Sequence, residues 1–362
     1  MDYGIGDTFV SSVPEEVSFA LINFQAGWME KKPFASGMNT RQSIRKYGQY
    51  HRPIAQPVLF WLNGDSKCEE NPMATMKAPS KLTQMNSPAK PAQIRVARRS
   101  PEYWRVTIDN PPINVMGPEM VKQFQEVINA LEADEQVRVV VFDSAVDAYF
   151  LNHSDFTARI EDLTSLPEGT TGLPPWPDFL VRLTRLPVAS IALIRGRATG
   201  NGSEITLACD MSFASREKTI ISQWEVGVGM VAGGGPMARL PRLIGRNRAL
   251  EVLLSSEDIR ADQAEAYGYI NRALPDAELD AFVEALATRI AKFDKWAIAQ
   301  TKRLVNTSLP PDVELGAGWD ACIDSLGRPA AQNGIKALME RGFHKPGDVE
   351  NRLGYYLGQI GR

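Results

Sequence analysis

The chain has 362 residues, 44% hydrophobic and 23% charged, the composition of a globular protein with ample material for a core. A formal net charge of −3 excludes both the basic balance of a nucleic-acid binder and the polybasic face of a membrane-surface protein. Three cysteines (Cys68, Cys209, Cys322) and three histidines (His51, His153, His344) are scattered without paired spacing, so neither a disulfide framework nor a metal site is expected.

The first residues, MDYGIGDTFVSSV, lack the basic and apolar regions of a secretory signal. No apolar run approaches the roughly 20 residues of a membrane span, and a cytoplasmic location is expected. Residues 1–92 show no sustained period apart from PEEVSFALINFQAGWMEK, where Val17, Leu21 and Phe24 share one helical stripe. Met73 to Gln93 is rich in Pro, Ser and Lys and holds no acid, a linker composition. Residues 1–92 are therefore expected to be disordered or loosely attached, with Met73, Met76 and Met85 as alternative starts.

From Ile94 the pattern turns regular. IRVARRSPEYWRVTIDN alternates about a polar turn, as a β-hairpin does. A helix is predicted from Pro118 to Ala133, with Met120, Val121, Phe124, Val127, Ile128 and Leu131 on one face. VRVVVFDS and VASIALIRG read as strands buried on both sides, separated by a helix through PDFLVRLTRL. A helix through ITLACD follows the GNGSE turn, then short strands at MSFAS and TIISQWE. After GGGP the pattern is mainly helical to the end. This order predicts an α/β fold, with its core over 93–275 and a C-terminal helical region over 276–362.

Four stretches stand out. AYFLNHSDF follows a buried strand and reads most simply as a strand-to-helix loop. GNGSEITLACD places one carboxylate, Glu204, at the head of an apolar run, where it is as readily a helix-start charge as a functional group. SQWEVGVGMVAGGGP carries a second, Glu225, beside Trp224; its glycine spacing fails the dinucleotide fingerprint. The tail MERGFHKPGDVENRLG, with His344 and Lys345, reads as a solvated end. Two carboxylates in apolar surroundings, each beside a glycine-rich turn, suit divided acid and base duties. Backbone N–H groups at a helix start suit an oxyanion. Together they point to proton transfer next to an activated carbonyl.

The order GRATGNGSEITLACD, SQWEVGVGMVAGGGP, LPRLIG and ADQAEAYGYI resembles the enoyl-CoA hydratase/isomerase (crotonase) superfamily from about Ile94 to the C-terminus. The resemblance implies a spiral of stacked ββα turns with a C-terminal helical oligomerisation region, assembling as a trimer or dimer of trimers. It implies an acyl-CoA substrate, no metal, no cofactor beyond the coenzyme A of the substrate, and no nucleic-acid or membrane partner. The family's two catalytic glutamates fall on Glu204 and Glu225, and its oxyanion amides on Ser154 and Asn201. With both glutamates present, addition of water to a 2-enoyl-CoA is favoured over enoyl-CoA isomerisation or acyl-CoA hydrolysis. A non-catalytic acyl-CoA- or RNA-binding relative is the remaining alternative.

The chain also departs from the family pattern. His153 replaces a glycine beside the oxyanion amide, a change read chiefly as space filling or loop support. Asn201 replaces the middle glycine of its turn, and Trp224 replaces a proline before Glu225. His153, Trp224 and Gly202 are pocket candidates. Arg95, Arg98 and Arg99, with Lys345 from a neighbouring subunit, are candidates for the phosphates of coenzyme A.

Overall fold

The structure, a computed structural model, describes residues 92–360. The expected N-terminal extension, with its stripe from Val17 to Phe24 and all but the last two residues of its linker, lies outside the described residues. Strands β1 (Ile94–Ser100) and β2 (Tyr103–Ile108) form the predicted hairpin, paired antiparallel. Helix α1 (Pro118–Ala133) opens with proline in its first turn, and its six predicted apolar residues are all buried.

Strands and helices then alternate. They run β3 (Val139–Ser144), β4 (Tyr149–Leu151), α2 (Ile160–Thr164) and α3 (Pro175–Arg185), followed by β5 (Ala189–Ile194), β6 (Arg197–Thr199) and α4 (Asn201–Ala208). A third round comprises β7 (Met211–Ser215), β8 (Ile220–Ser222), a 3-10 turn at Glu225–Val228, α5 (Pro236–Ile244) and α6 (Arg246–Ser255). The short elements β9 (Ile259–Arg260), α7 (Ala261–Tyr267) and β10 (Arg272–Leu274) lead into α8 (Asp276–Ile290) and α9 (Lys295–Val305). The chain ends in α10 (Asp312–Leu326), α11 (Pro329–Arg341), α12 (Asp348–Asn351) and α13 (Leu353–Leu357).

Each round sends one strand to each of two sheets. The larger has the order β1-β2-β3-β5-β7-β10, the smaller β4-β6-β8-β9. Neighbours from β2 to β10 in the larger sheet are parallel, as are β4, β6 and β8 in the smaller. A strand, a short strand and a helix per round make the spiral of ββα turns implied by the resemblance. Strand β3 shows why its sequence has no polar alternation. Val140 and Phe142 face the core shared with α1 and α3, whereas Val139 and Val141 face a second core completed by Leu279 and Val283 of α8.

Three expectations change. The helix predicted through ITLACD starts earlier, at Asn201, and ends at Ala208. The AYFLNHSDF loop contains strand β4, whose three residues are too few to show a period. The tail is not a solvated end. Phe343, Val349, Leu353 and Leu357 are buried against Trp224, Val228 and Met230, so apolar burial rather than hydration sets its path.

Candidate active site

Helix α4 is buried on nearly every face, which is why its apolar run carries no polar stripe. Glu204 stands in its first turn and is 2% exposed. A carboxylate so placed needs donors, and it has three. Its Oε2 accepts from Trp176 Nε1 at 2.7 Å and from Asn201 Nδ2 at 3.0 Å, and its Oε1 accepts from the Gly234 amide at 2.5 Å. The last contact explains the middle glycine of GGGP, because a Cβ there would stand 2.3 Å from the Glu204 carboxyl carbon.

Glu225 opens the 3-10 turn after β8 and is 7% exposed. Its Oε2 has no hydrogen-bond partner among the described residues. Gly200, at φ 54°, lets the backbone approach it: a Cβ at that position would lie 3.0 Å from Glu225 Oε1. Both glutamates line one cavity of about 50 Å³, with Ser154, Asn201, Trp176, Trp224, Trp319 and Cys322 among its other walls.

Their unequal surroundings separate their protonation. Burial pushes the Glu204 carboxyl up, opposed by its hydrogen bonds from Trp176, Gly234 and Asn201. Burial and then the Glu204 charge push Glu225 from its ordinary 4.5 up to about 8. The donor set favours a negative charge on Glu204 over one on Glu225, whose Oε2 has no such donor.

Ser154 and Asn201 both line the cavity, and their side chains meet: Ser154 Oγ donates to Asn201 Oδ1 at 2.9 Å. Asn201 thereby links Ser154 to Glu204. The Asn201 amide, at the first position of α4, has no intrahelical acceptor by geometry, and it lies where the helix dipole favours negative charge. Ser154 forms an isolated parallel bridge with Met116, in which His153 O and Asp155 N make the hydrogen bonds, so its own N–H is turned away from Met116.

Of the pocket candidates, Trp224 lines the cavity and is 1% exposed. Gly202 does not: a Cβ there would stand 1.9 Å from Leu151 O, so this glycine serves the packing of α4 on β4. His153 lies behind the cavity wall, stacked on Phe343 at 4.1 Å between ring centroids. The phosphate candidates are on the surface. Arg95, Arg98 and Arg99 are exposed on the edge strand β1, Arg95 paired with Asp109 at 3.1 Å and Arg98 over the Trp104 ring at 4.3 Å. Lys345 is exposed in the turn before α12. None of the four lines the cavity.

Sequence reasoning missed Trp176, the Gly234 amide, and Trp319 and Cys322 of α10. A tryptophan on an apolar helix face reads as core, and nothing local announces a contact from residues more than a hundred positions away. A larger cavity of about 840 Å³ lies between the end of α4 and helices α8 and α9, and neither glutamate lines it. Among the described residues no group of three or more His, Cys, Asp or Glu side chains is placed to hold a metal ion. No described helix is long and apolar enough to cross a membrane.

The family described as enoyl-CoA hydratase/isomerase matches residues 102–342. The short-chain-enoyl-CoA hydratase of Clostridium acetobutylicum is 27% identical over 217 residues, covering 60% of this chain and 82% of that protein. A crystal structure described as a "putative enoyl-CoA hydratase" from Streptomyces avermitilis is 38% identical with a TM-score of 0.71, covering 75% of this chain and 98% of that one. Pseudomonas aeruginosa OdaA is 27% identical with a TM-score of 0.61, covering 69% of this chain and 99% of that one.

Proposed function

The chain belongs to the enoyl-CoA hydratase/isomerase family, and from that premise we propose that it adds water across the double bond of a 2-enoyl-CoA thioester. The observation that carries this reading is the inequality of the two buried glutamates, one bound by three donors and the other with an unpartnered oxygen. An ionised Glu204 takes a proton from water as the hydroxyl adds to the β-carbon. Protonated Glu225 delivers its proton to the α-carbon. A proton passing from Glu204 to Glu225 restores the resting state. The Ser154 and Asn201 amides hold the thioester oxygen as negative charge develops on it. Water is the only co-substrate this scheme requires.

Three tryptophans around a cavity of about 50 Å³ favour a short acyl group. Self-association is part of the proposal, supported by exposed apolar residues on and near α9: Trp296 at 71%, Leu304 at 60%, Val305 at 66% and Val313 at 75%. The test is loss of the conjugated-thioester absorbance when enzyme is added to crotonyl-CoA. Turnover to 3-hydroxybutyryl-CoA supports hydration. Tight binding of crotonyl-CoA without turnover overturns it, as does a chain that only moves the double bond of 3-enoyl-CoA.

A further inference from the structure

The C-terminal segment closes over the loop that carries Ser154, and the contact between them is polar and buried. Asn152, His153 and Glu350 are 0%, 1% and 0% exposed. Glu350 Oε1 accepts from the His344 amide at 2.7 Å and faces His153 Nε2 at 3.1 Å, while its Oε2 accepts from Asn152 Nδ2 at 3.0 Å. The other ring nitrogen, His153 Nδ1, stands 3.0 Å from the Ser154 carbonyl oxygen.

Donor accounting fixes the charge of Glu350. Burial drives the Glu350 carboxyl up, but the His153 ring, the His344 amide and Asn152 more than offset it and hold the carboxyl low. Glu350 is therefore ionised and only accepts, as does the Ser154 carbonyl. The His153 ring lies between these two acceptors, Nδ1 toward Ser154 and Nε2 toward Glu350. His344 is the neighbouring histidine. Its Nε2 accepts the Phe156 amide at 3.3 Å and its Nδ1 faces Asp155 at 3.6 Å, so it is neutral. Burial and then the neighbouring His153 push it down to about 4.

Ser154 is thus held from two sides. Met116 takes the peptide groups flanking it, through His153 O and Asp155 N, and the His153 ring takes its carbonyl. We propose that Glu350 is a positioning residue: through the His153 ring and Asn152 it fixes the Ser154 backbone, and with it the amide that the hydration proposed above requires. The segment from Phe343 to Asn351 is on this account part of the positioning apparatus. The proposal rests on the hydratase reading for its kinetic consequence, but not for the contacts themselves.

Glu350→Gln keeps the shape but turns one of the two acceptor oxygens into a donor, so Asn152, the His153 ring and the His344 amide can no longer all donate to it and must reorient. The expected result is a fall in kcat of about tenfold or more, as for a misplaced catalytic group, with KM changed by less than about twofold. In a His153→Gly background the same Glu350→Gln change costs less than in the wild type, because only the route through Asn152 is left. Asn152→Ala, a milder variant, lowers kcat in the same sense. In the resting protein the Ser154 amide resonance shifts on Glu350→Gln. An unchanged kcat in Glu350→Gln, an equal loss with and without His153, or a Ser154 amide resonance that does not move overturns the proposal. The resonance is read on the resting protein, so a wild type unable to hydrate crotonyl-CoA refutes the reaction while the spectrum still decides the contact.

Discussion

Trp176→Phe isolates one of the three donors that favour an ionised Glu204. The phenyl ring preserves the packing: Trp176 stacks on Phe179 at 5.5 Å and lies 5.6 Å from Phe124. It cannot replace the indole N–H, which reaches Glu204 Oε2 at 2.7 Å. A hydrogen bond to an ionised acceptor contributes about 1.5 to 3 kcal/mol. Losing it raises the Glu204 pKa further. Because Glu204 must be ionised in the proposed reaction to take the proton of water, the acid limb of kcat against pH moves upward. Below the limb the rate falls by about ten- to a hundredfold, and it recovers as pH rises toward the loss of the Glu225 proton at about 8. The assay is crotonyl-CoA hydration at saturating substrate across the pH range. An acid limb that stays in place, or a rate loss equal at every pH, refutes the role given to this bond.

Glu225 makes a stability prediction with a definite sign. Its carboxyl is raised from 4.5 to about 8 on folding, so between those values the folded chain keeps a proton that the unfolded chain has released. Stability therefore falls as pH rises through that window, and Glu225→Gln flattens the slope; a melting temperature whose pH dependence is the same in both proteins contradicts this. Trp224→Ala removes a fully buried wall of the cavity, at a stability cost of about 3 to 5 kcal/mol. The kcat/KM ratio of hexenoyl-CoA to crotonyl-CoA should rise by about tenfold, and an unchanged ratio shows that Trp224 does not limit the acyl group.

Much of this architecture is legible in the sequence because long, regular segments speak for themselves. The six apolar positions of α1 and the β-branched run of β3 each follow from periodicity and burial. The two glutamates are legible for a different reason: an acid at the head of an apolar run demands an explanation, and the residues around it supplied one. What stayed hidden is long-range or short. Strands β4, β6, β9 and β10 have two or three residues each and no period to read. Trp176 and Trp319 look like core from any local window, and only the fold aims them at Glu204 and its cavity. His153 was read as filling space or supporting its loop. Its hydrogen-bond partner, Glu350, is 197 positions away in a tail taken for solvated surface.

Asn201 sharpens the same point. It replaces a glycine of the family pattern, yet it is the first residue of α4 and its φ is not left-handed. Its side chain instead bridges Ser154 Oγ and Glu204 Oε2, joining the proposed oxyanion loop to the proposed base.

The central claim is that Glu204 and Glu225 divide base and acid duties on an enoyl thioester. Its most direct test is kcat for crotonyl-CoA hydration in wild type, Glu204→Gln and Glu225→Gln, with folding checked by circular dichroism. Each substitution should lower kcat by at least about 10²-fold, the low end of a general acid or base contribution. Near-wild-type turnover by either folded variant contradicts the account.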